Sequence, residues 1–238
     1  MTGQIPLDLR VPPALGREDY LIAPSNAAAV AMLDAPRDWP GGRLLLIGPA
    51  GAGKSHLAGI WAAGADAQVL DGPALDAGAV AALAGAARPV LIEDADGPLG
   101  AAAEEALFHL WNLSGPARPL LITARRPPRD WGLSLADLRS RLDTAAQARL
   151  EAPDDGLLRA VLVKLFADRQ IVISAALVDW LAQRMERSLG DARALVAAVD
   201  QAALARKAPV TRALLAEVLE ITRRFALDGN GAALQQDR

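Results

Sequence analysis

Residues 43–55 read Arg43-Leu44-Leu45-Leu46-Ile47-Gly48-Pro49-Ala50-Gly51-Ala52-Gly53-Lys54-Ser55, an apolar run feeding straight into G-x-x-x-x-G-K-S. That pattern has a mechanism. Glycines at 48, 51 and 53 let the backbone bend until successive N–H groups converge on an anion. A helix beginning at the end of the loop turns its positive terminus toward the same point. Lys54, one of three lysines in the chain, would then reach the β and γ phosphates, and the Ser55 hydroxyl would ligate Mg²⁺. His56 follows directly and is counted with the nucleotide-binding residues. The segment implies a site for ADP or ATP.

Working outward, apolar runs alternate with helical patterns. The runs lie at 44–48, 67–72, 89–94 and 119–124, with a fifth strand expected within 148–153. Helices are expected near 26–33, 54–63, 78–87 and 102–113. Short strands that are apolar on both faces, separated by helices, predict an α/β fold in which helices flank a parallel sheet. After Pro153 the strand signal ends. Asp154 or Asp155, Ser174, Asp191 and Thr211 are expected to cap four helices, and these form a C-terminal helical lid. The expected organisation is an extended arm at 1–14, a nucleotide-binding α/β domain at 15–152, a helical lid at 153–225 and a flexible tail at 226–238. Pro6, Pro12 and Pro13 keep the arm out of a helix.

Composition narrows the chemistry. The chain has 238 residues, 52% of them hydrophobic, and a formal charge of −3, so no global field recruits nucleic acid. Without cysteine, disulfides, thiol catalysis and cysteine-based zinc sites are excluded. Only two histidines, His56 and His109, are present. The first residues lack a signal-peptide pattern and no run is long enough to span a membrane, so a cytoplasmic protein is expected.

A second acidic signal sits at the end of the run Val90-Leu91-Ile92-Glu93-Asp94. Paired carboxylates on the strand beside a phosphate loop suit two tasks, holding Mg²⁺ and orienting an attacking water. Glu93 and Asp94 are therefore candidates for both.

Further motifs continue in order: Glu104-Glu105-Ala106-Leu107-Phe108-His109-Leu110-Trp111-Asn112, then LLITARRPP, then Leu138-Arg139-Ser140-Arg141-Leu142, then APDDGLLRAVL and GDARALVAAV. Together, over about residues 20–222, they resemble the AAA+ module of the bacterial replication initiator DnaA. The resemblance implies that Arg141 is an arginine finger reaching a neighbouring subunit's nucleotide and that Arg193 is a sensor on the bound phosphates. Thr123 falls at the sensor position ending the strand before RRPP. Ser25 and Asn26 match the segment that helps enclose the base. Two departures stand out. The initiator's paired aspartates become Glu93-Asp94, and an acidic residue expected after the sensor strand is replaced by Arg125. Both imply weak hydrolysis by this chain itself.

The resemblance carries no counterpart of the initiator's helix-turn-helix, so direct sequence-specific DNA binding is not expected. Instead, Gln4-Ile5-Pro6-Leu7-Asp8-Leu9 resembles the Q-x-x-L-x-[LF] peptide that docks on the replicative sliding clamp, with Gln4, Leu7 and Leu9 as anchors. An arm of this kind on a DnaA-like module resembles the Hda-type regulators. That implies negative regulation of replication initiation through hydrolysis of DnaA-bound ATP, with the clamp and DnaA as partners and a homo-oligomer compatible. The alternatives are a helicase loader of the DnaC type and a stand-alone P-loop ATPase or kinase.

Overall fold

A computed structural model describes residues 16–84 and 88–233. Its centre is a parallel sheet of β1 (Arg43–Ile47), β2 (Gln68–Asp71), β3 (Val90–Glu93), β4 (Leu120–Ala124) and β5 (Gln147–Arg149), in the order β2-β3-β4-β1-β5. Leu44, Leu46, Leu91 and Leu121 face one side, where they pack with α1 (Ala27–Leu33) and α2 (Lys54–Gly64). Leu45, Ile47, Val90, Ile92, Leu120 and Ile122 face the other, against α3 (Ala77–Ala84), α4 (Ala101–Leu113) and α5 (Ala136–Asp143). Alternate residues thus bury on opposite faces, which is why the strand sequences are almost wholly apolar. Five parallel strands with helices on both faces form the expected α/β sheet. β5 is shorter than expected, and α3 closes at Ala84, with 85–87 outside the described residues.

The remaining helices are α6 (Asp155–Ala167), α7 (Ala175–Ala182), α8 (Leu189–Arg206) and α9 (Arg212–Ala233). They share a core of their own in which Leu158, Leu162, Phe166, Leu181, Leu195, Val196 and Leu215 are buried. Asp154, Ser174 and Thr211 cap their helices by accepting the amides of Leu157, Leu177 and Leu214. The cap of α8 is Ser188, whose Oγ accepts the Asp191 amide at 3.1 Å, and not Asp191, which lies in the first turn. Helix α9 continues to Ala233, through much of the segment expected to form a tail beyond 226. Once a helix is started, each further residue adds one hydrogen bond at small cost.

Candidate functional site

Strand β1 delivers the chain to the phosphate loop at the carboxyl edge of the sheet, where ligands of open α/β sheets bind. The Gly48 amide donates to Ala124 O at 3.2 Å, tying the start of the loop to the end of β4. Gly51 and Gly53 take φ of +70° and +95°, conformations that favour glycine. Lys54 opens α2 and folds back so that Nζ donates to Gly48 O at 2.8 Å and Pro49 O at 3.0 Å. Only 6% of Lys54 is exposed. Burial holds its ammonium below the ordinary lysine range, while the nearby Asp94 carboxylate opposes that shift. A desolvated cation facing a ring of backbone groups is poised for an anion. The Ser55 side chain stands exposed beside it.

The helical subdomain closes onto this loop. The Leu189 amide donates to Gly51 O at 2.8 Å, and a Cβ on Gly51 would collide with the Ser188 side chain. One turn on, Arg193 Nη2 lies 3.3 Å from His56 Nδ1. Arg193 thus approaches the first turn of α2, beside Lys54 and Ser55. His56 also meets the edge of Tyr20, ring centroids 5.2 Å apart. Burial and the Arg193 cation hold the imidazole below the usual histidine value, and burial pushes the Tyr20 phenol up to about 12. Asp19 pairs with Lys164 of α6 at 2.7 Å and ties the segment before Tyr20 to the helical subdomain.

Tyr20 Oη, Ser25 Oγ and His56 Nε2 are buried without a hydrogen-bond partner among the described residues. Such atoms are costly unless a ligand or water engages them. They lie on the N-terminal segment and α2, which together wall the loop. The Asn26 side chain is already engaged, accepting from the Ala23 amide and donating to Leu21 O, both at 2.9 Å, so it shapes the turn before α1. Tyr20 was not singled out from sequence. Its signal there was modest: it is the chain's only tyrosine, a few residues ahead of Ser25 and Asn26.

At the ends of β3 and β4 the geometry is tighter. Thr123 is fully buried, and its Oγ1 accepts the Asp94 amide at 3.0 Å. Asp94 itself has φ of +50°, a costly conformation for a side-chain-bearing residue, held by that bond and by Gly97 N donating to Asp94 O. Thr123 therefore sets where the Asp94 carboxylate stands. Glu93 Oε1 is buried, with no hydrogen-bond partner among the described residues. Asp96, also buried, accepts from the Arg126 amide at 3.2 Å, and Arg126 Nη2 returns a bond to Asp96 O at 2.9 Å. Among the described residues no trio of histidine or carboxylate side chains converges on a metal point. Mg²⁺ needs no such cage, because it commonly binds through one or two carboxylates, substrate phosphates and water. The Ser55 hydroxyl with Glu93 or Asp94 fits that use. A metal held there would neutralise phosphate charge during transfer to water.

Arg141 lies elsewhere. It sits in the last turn of α5, just before β5 begins, and its Nη1 donates to Asn112 Oδ1 in the last turn of α4 at 2.7 Å. Its Nε and Nη2 form a fork on the Asp137 carboxylate at 3.1 and 3.0 Å, and its guanidinium lies over the Phe108 ring. The buried Glu104 carboxylate accepts the Ser134 and Leu135 amides and so anchors the start of α5. Arg141 also adds to the forces lowering the Arg43 pKa, after burial, and Arg43 opens β1. Arg141 is therefore at the amino edge of the sheet, across the length of β1 from Gly48. A five-residue strand spans about 16 Å. Its own phosphate loop is out of reach. Gln4, Leu7 and Leu9 lie outside the described residues.

A parallel sheet with flanking helices, a glycine-rich loop at its carboxyl edge and a helical cap over that loop together have the architecture seen in AAA+ domains. Comparison with known proteins agrees on the fold. The chain superposes on domain III of the Thermotoga maritima replication initiation protein DnaA with a TM-score of 0.73 at 18% identity, covering 87% of this chain and 96% of that one. A DnaA bound to AMPPCP and single-stranded DNA aligns with a TM-score of 0.65 at 12% identity, covering 82% of this chain and 68% of that one. The T. maritima RuvB Holliday junction branch migration motor gives 0.62 at 23% identity, covering 81% and 66%. In sequence, the chain is 28% identical over 126 residues to DnaA of Herpetosiphon aurantiacus, covering 51% of this chain and 27% of that protein. It is 35% identical over 107 residues to DnaA of Leptospira biflexa, covering 44% and 23%. The match thus spans about a quarter of the length of those relatives. No protein-family profile matches the chain. The chain thus has the fold of DnaA domain III and is similar in sequence to DnaA over about half of its own length. Among the described residues no helix is long and apolar enough to cross a membrane.

Proposed function

We propose that this protein is an Hda-like regulator of replication initiation: it holds ADP or ATP in its own phosphate loop and presents Arg141 to ATP bound by DnaA. The observation that carries this reading is the position of Arg141 at the amino edge, aligned by Asp137, Asn112 and Phe108 and far from its own Lys54. A permanently charged, forked cation held there suits phosphate on another molecule. It has no evident task toward its own nucleotide. Lys54, the loop amides and Arg193 would bind the phosphates, and Tyr20, Ser25 and His56 would line the rest of the pocket. Mg²⁺ would join Ser55 and the Glu93-Asp94 pair. Gln4, Leu7 and Leu9 would anchor the protein on the sliding clamp, bringing it to DNA-loaded complexes.

The test is reconstituted hydrolysis of DnaA-bound ATP with clamp loaded on DNA. Adding this protein should accelerate hydrolysis, and an arginine finger can contribute about 10³–10⁵-fold. Arg141→Ala should keep nucleotide binding and lose the acceleration. Deleting residues 1–10 should abolish clamp binding while leaving nucleotide affinity unchanged. Equal acceleration by the Arg141 variant would remove the finger role, and full clamp binding by the truncated chain would remove the arm.

A further inference from the structure

The end of β4 carries a charge that the nucleotide-site description leaves unused. The ladder pairs Ile47 with Ala124 and carries on through the Gly48–Ala124 hydrogen bond, so Arg125 comes level with the first glycine of the phosphate loop. Strand order then puts Arg125 between Asp94, at the end of β3, and Gly48, at the end of β1. Leu121 packs on the α1–α2 side of the sheet, whereas Leu120, Ile122 and Ala124 pack on the other. Past Ala124 the chain bends, and Arg125 stands at the carboxyl end of β4, level with the start of the phosphate loop. Asp94, Asp96 and Arg125 all contribute to the electrostatics of the buried Lys54 ammonium.

The two arginines here are not equivalent. Arg126 is engaged by Asp96 through its amide, Nε and Nη2. Arg125 is exposed, and among the described residues no hydrogen bond or ion pair engages it. Both line a cleft of about 480 Å³ with Asp71, Asp94 and Asp96. The cleft is therefore acidic except for one uncommitted guanidinium. A free, forked cation beside a phosphate loop has one obvious counterpart, the outer oxygens of a polyphosphate.

We propose that Arg125 is a phosphate ligand supplied from the end of β4, standing in for part of the charge of a divalent metal, so that this site holds nucleotide whether or not Mg²⁺ joins it. The inference rests on the nucleotide-site reading above and concerns how that site balances charge. A polyphosphate entering next to Asp94 and Glu93 brings like charges together. Most P-loop sites relieve the repulsion with a metal between phosphate and carboxylate. Here Arg125 stands between Asp94 and the loop and can face both. Mg²⁺ binding then becomes optional, and a nucleotide held by arginine alone lacks the ion that assists hydrolysis.

The experiment measures ADP and AMPPCP affinity by calorimetry in excess Mg²⁺ and in EDTA, for the parent chain, Arg125→Ala and Arg125→Asp. The parent should change less than about threefold on removing the metal. Losing a charge-assisted contact corresponds to about tenfold or more, so both variants should weaken by at least that much in EDTA and much less in Mg²⁺, with Arg125→Asp the more metal-dependent. Thermal unfolding without nucleotide should be the same for all three, because Arg125 is exposed and unpaired. If the parent binds well in Mg²⁺ and loses affinity in EDTA as steeply as the variants, the Arg125 proposal is overturned and the nucleotide site stands. If the parent binds neither ligand under either condition, the nucleotide site itself is overturned.

Discussion

Arg193 of α8 and His56 of α2 meet at 3.3 Å across the junction between the helical subdomain and the sheet. Arg193 can only donate, so the contact is a hydrogen bond when His56 Nδ1 is unprotonated. Burial and the neighbouring cation both favour that neutral ring, against a weaker pull from Asp19. The folded-state pKa lies below the unfolded value of about 6.5. In the window between the two, the unfolded chain binds more protons, so stability rises with pH. The contribution is fully present above about 6.5 and is lost as pH falls through the folded value. Thermal unfolding from pH 7.5 to 5.5 should show a decline that flattens in His56→Gln. An unchanged decline in the variant would place the sensitivity elsewhere.

Gly51→Ala tests the contact between the loop and α8. At φ of +70° the new side chain is strained, and it also meets Ser188. A residue forced into such a conformation costs about 1–3 kcal/mol. Chemical denaturation should show a loss of that size, together with weakened nucleotide binding. Gly59→Ala is the control, since nothing lies within 4 Å of a Cβ there. It should hold or slightly raise stability, alanine being the better helix former.

Lys54→Ala should reduce ADP affinity at least about tenfold, the loss of a charge-assisted contact worth roughly 1.5–3 kcal/mol. The side chain bonds only carbonyl oxygens of its own loop, Gly48 O and Pro49 O. The variant should therefore fold, and its circular dichroism should match the parent. Calorimetry with equal ADP affinities for both proteins would remove Lys54 from the phosphate site.

Arg141→Lys should fail in the DnaA hydrolysis assay almost as badly as Arg141→Ala. Lysine keeps the charge and loses the fork that Asp137 aligns. The Arg141–Asp137 pair is an exposed i,i+4 contact, and such pairs contribute about 0.3–0.5 kcal/mol. Thermal stability should thus barely move in either variant. Full activity of the lysine variant would mean that charge alone suffices.

Much of this molecule was legible in the sequence because its signals are local. The run Leu44–Ile47 followed by Gly48–Ser55 states a strand, a loop and a helix within a dozen residues, and the periodicity of Leu157, Leu158, Val161, Leu162 and Leu165 announces a helical stripe. What stayed hidden depends on partners distant in the chain. Thr123 falls at the sensor position by resemblance, but that its hydroxyl holds the amide of Asp94, 29 residues away, is visible only in the fold. Asp191 and Ser188 are both good caps by type, and the loop-side contact of Leu189 with Gly51 decides where α8 begins. Asp96 carries no local signal, and its burial against Arg126 depends on a partner 30 residues away. The role of Tyr20 depended on His56 lying against it.

The opposed positions of Lys54 and Arg141 also constrain assembly. On the proposed function, the carboxyl edge of the sheet receives a cation from outside and the amino edge gives one. A two-fold dimer repeats every contact reciprocally, residue i on j and j on i, so it would serve both nucleotides only if a single patch carried both edges. In the proposed contact with DnaA, the amino edge of this protein meets the nucleotide-bearing edge of its partner, head to tail. A lone pair so arranged always ends with one unserved nucleotide and one unused arginine. That polarity would give any complex a direction, with a first and a last member that are not equivalent.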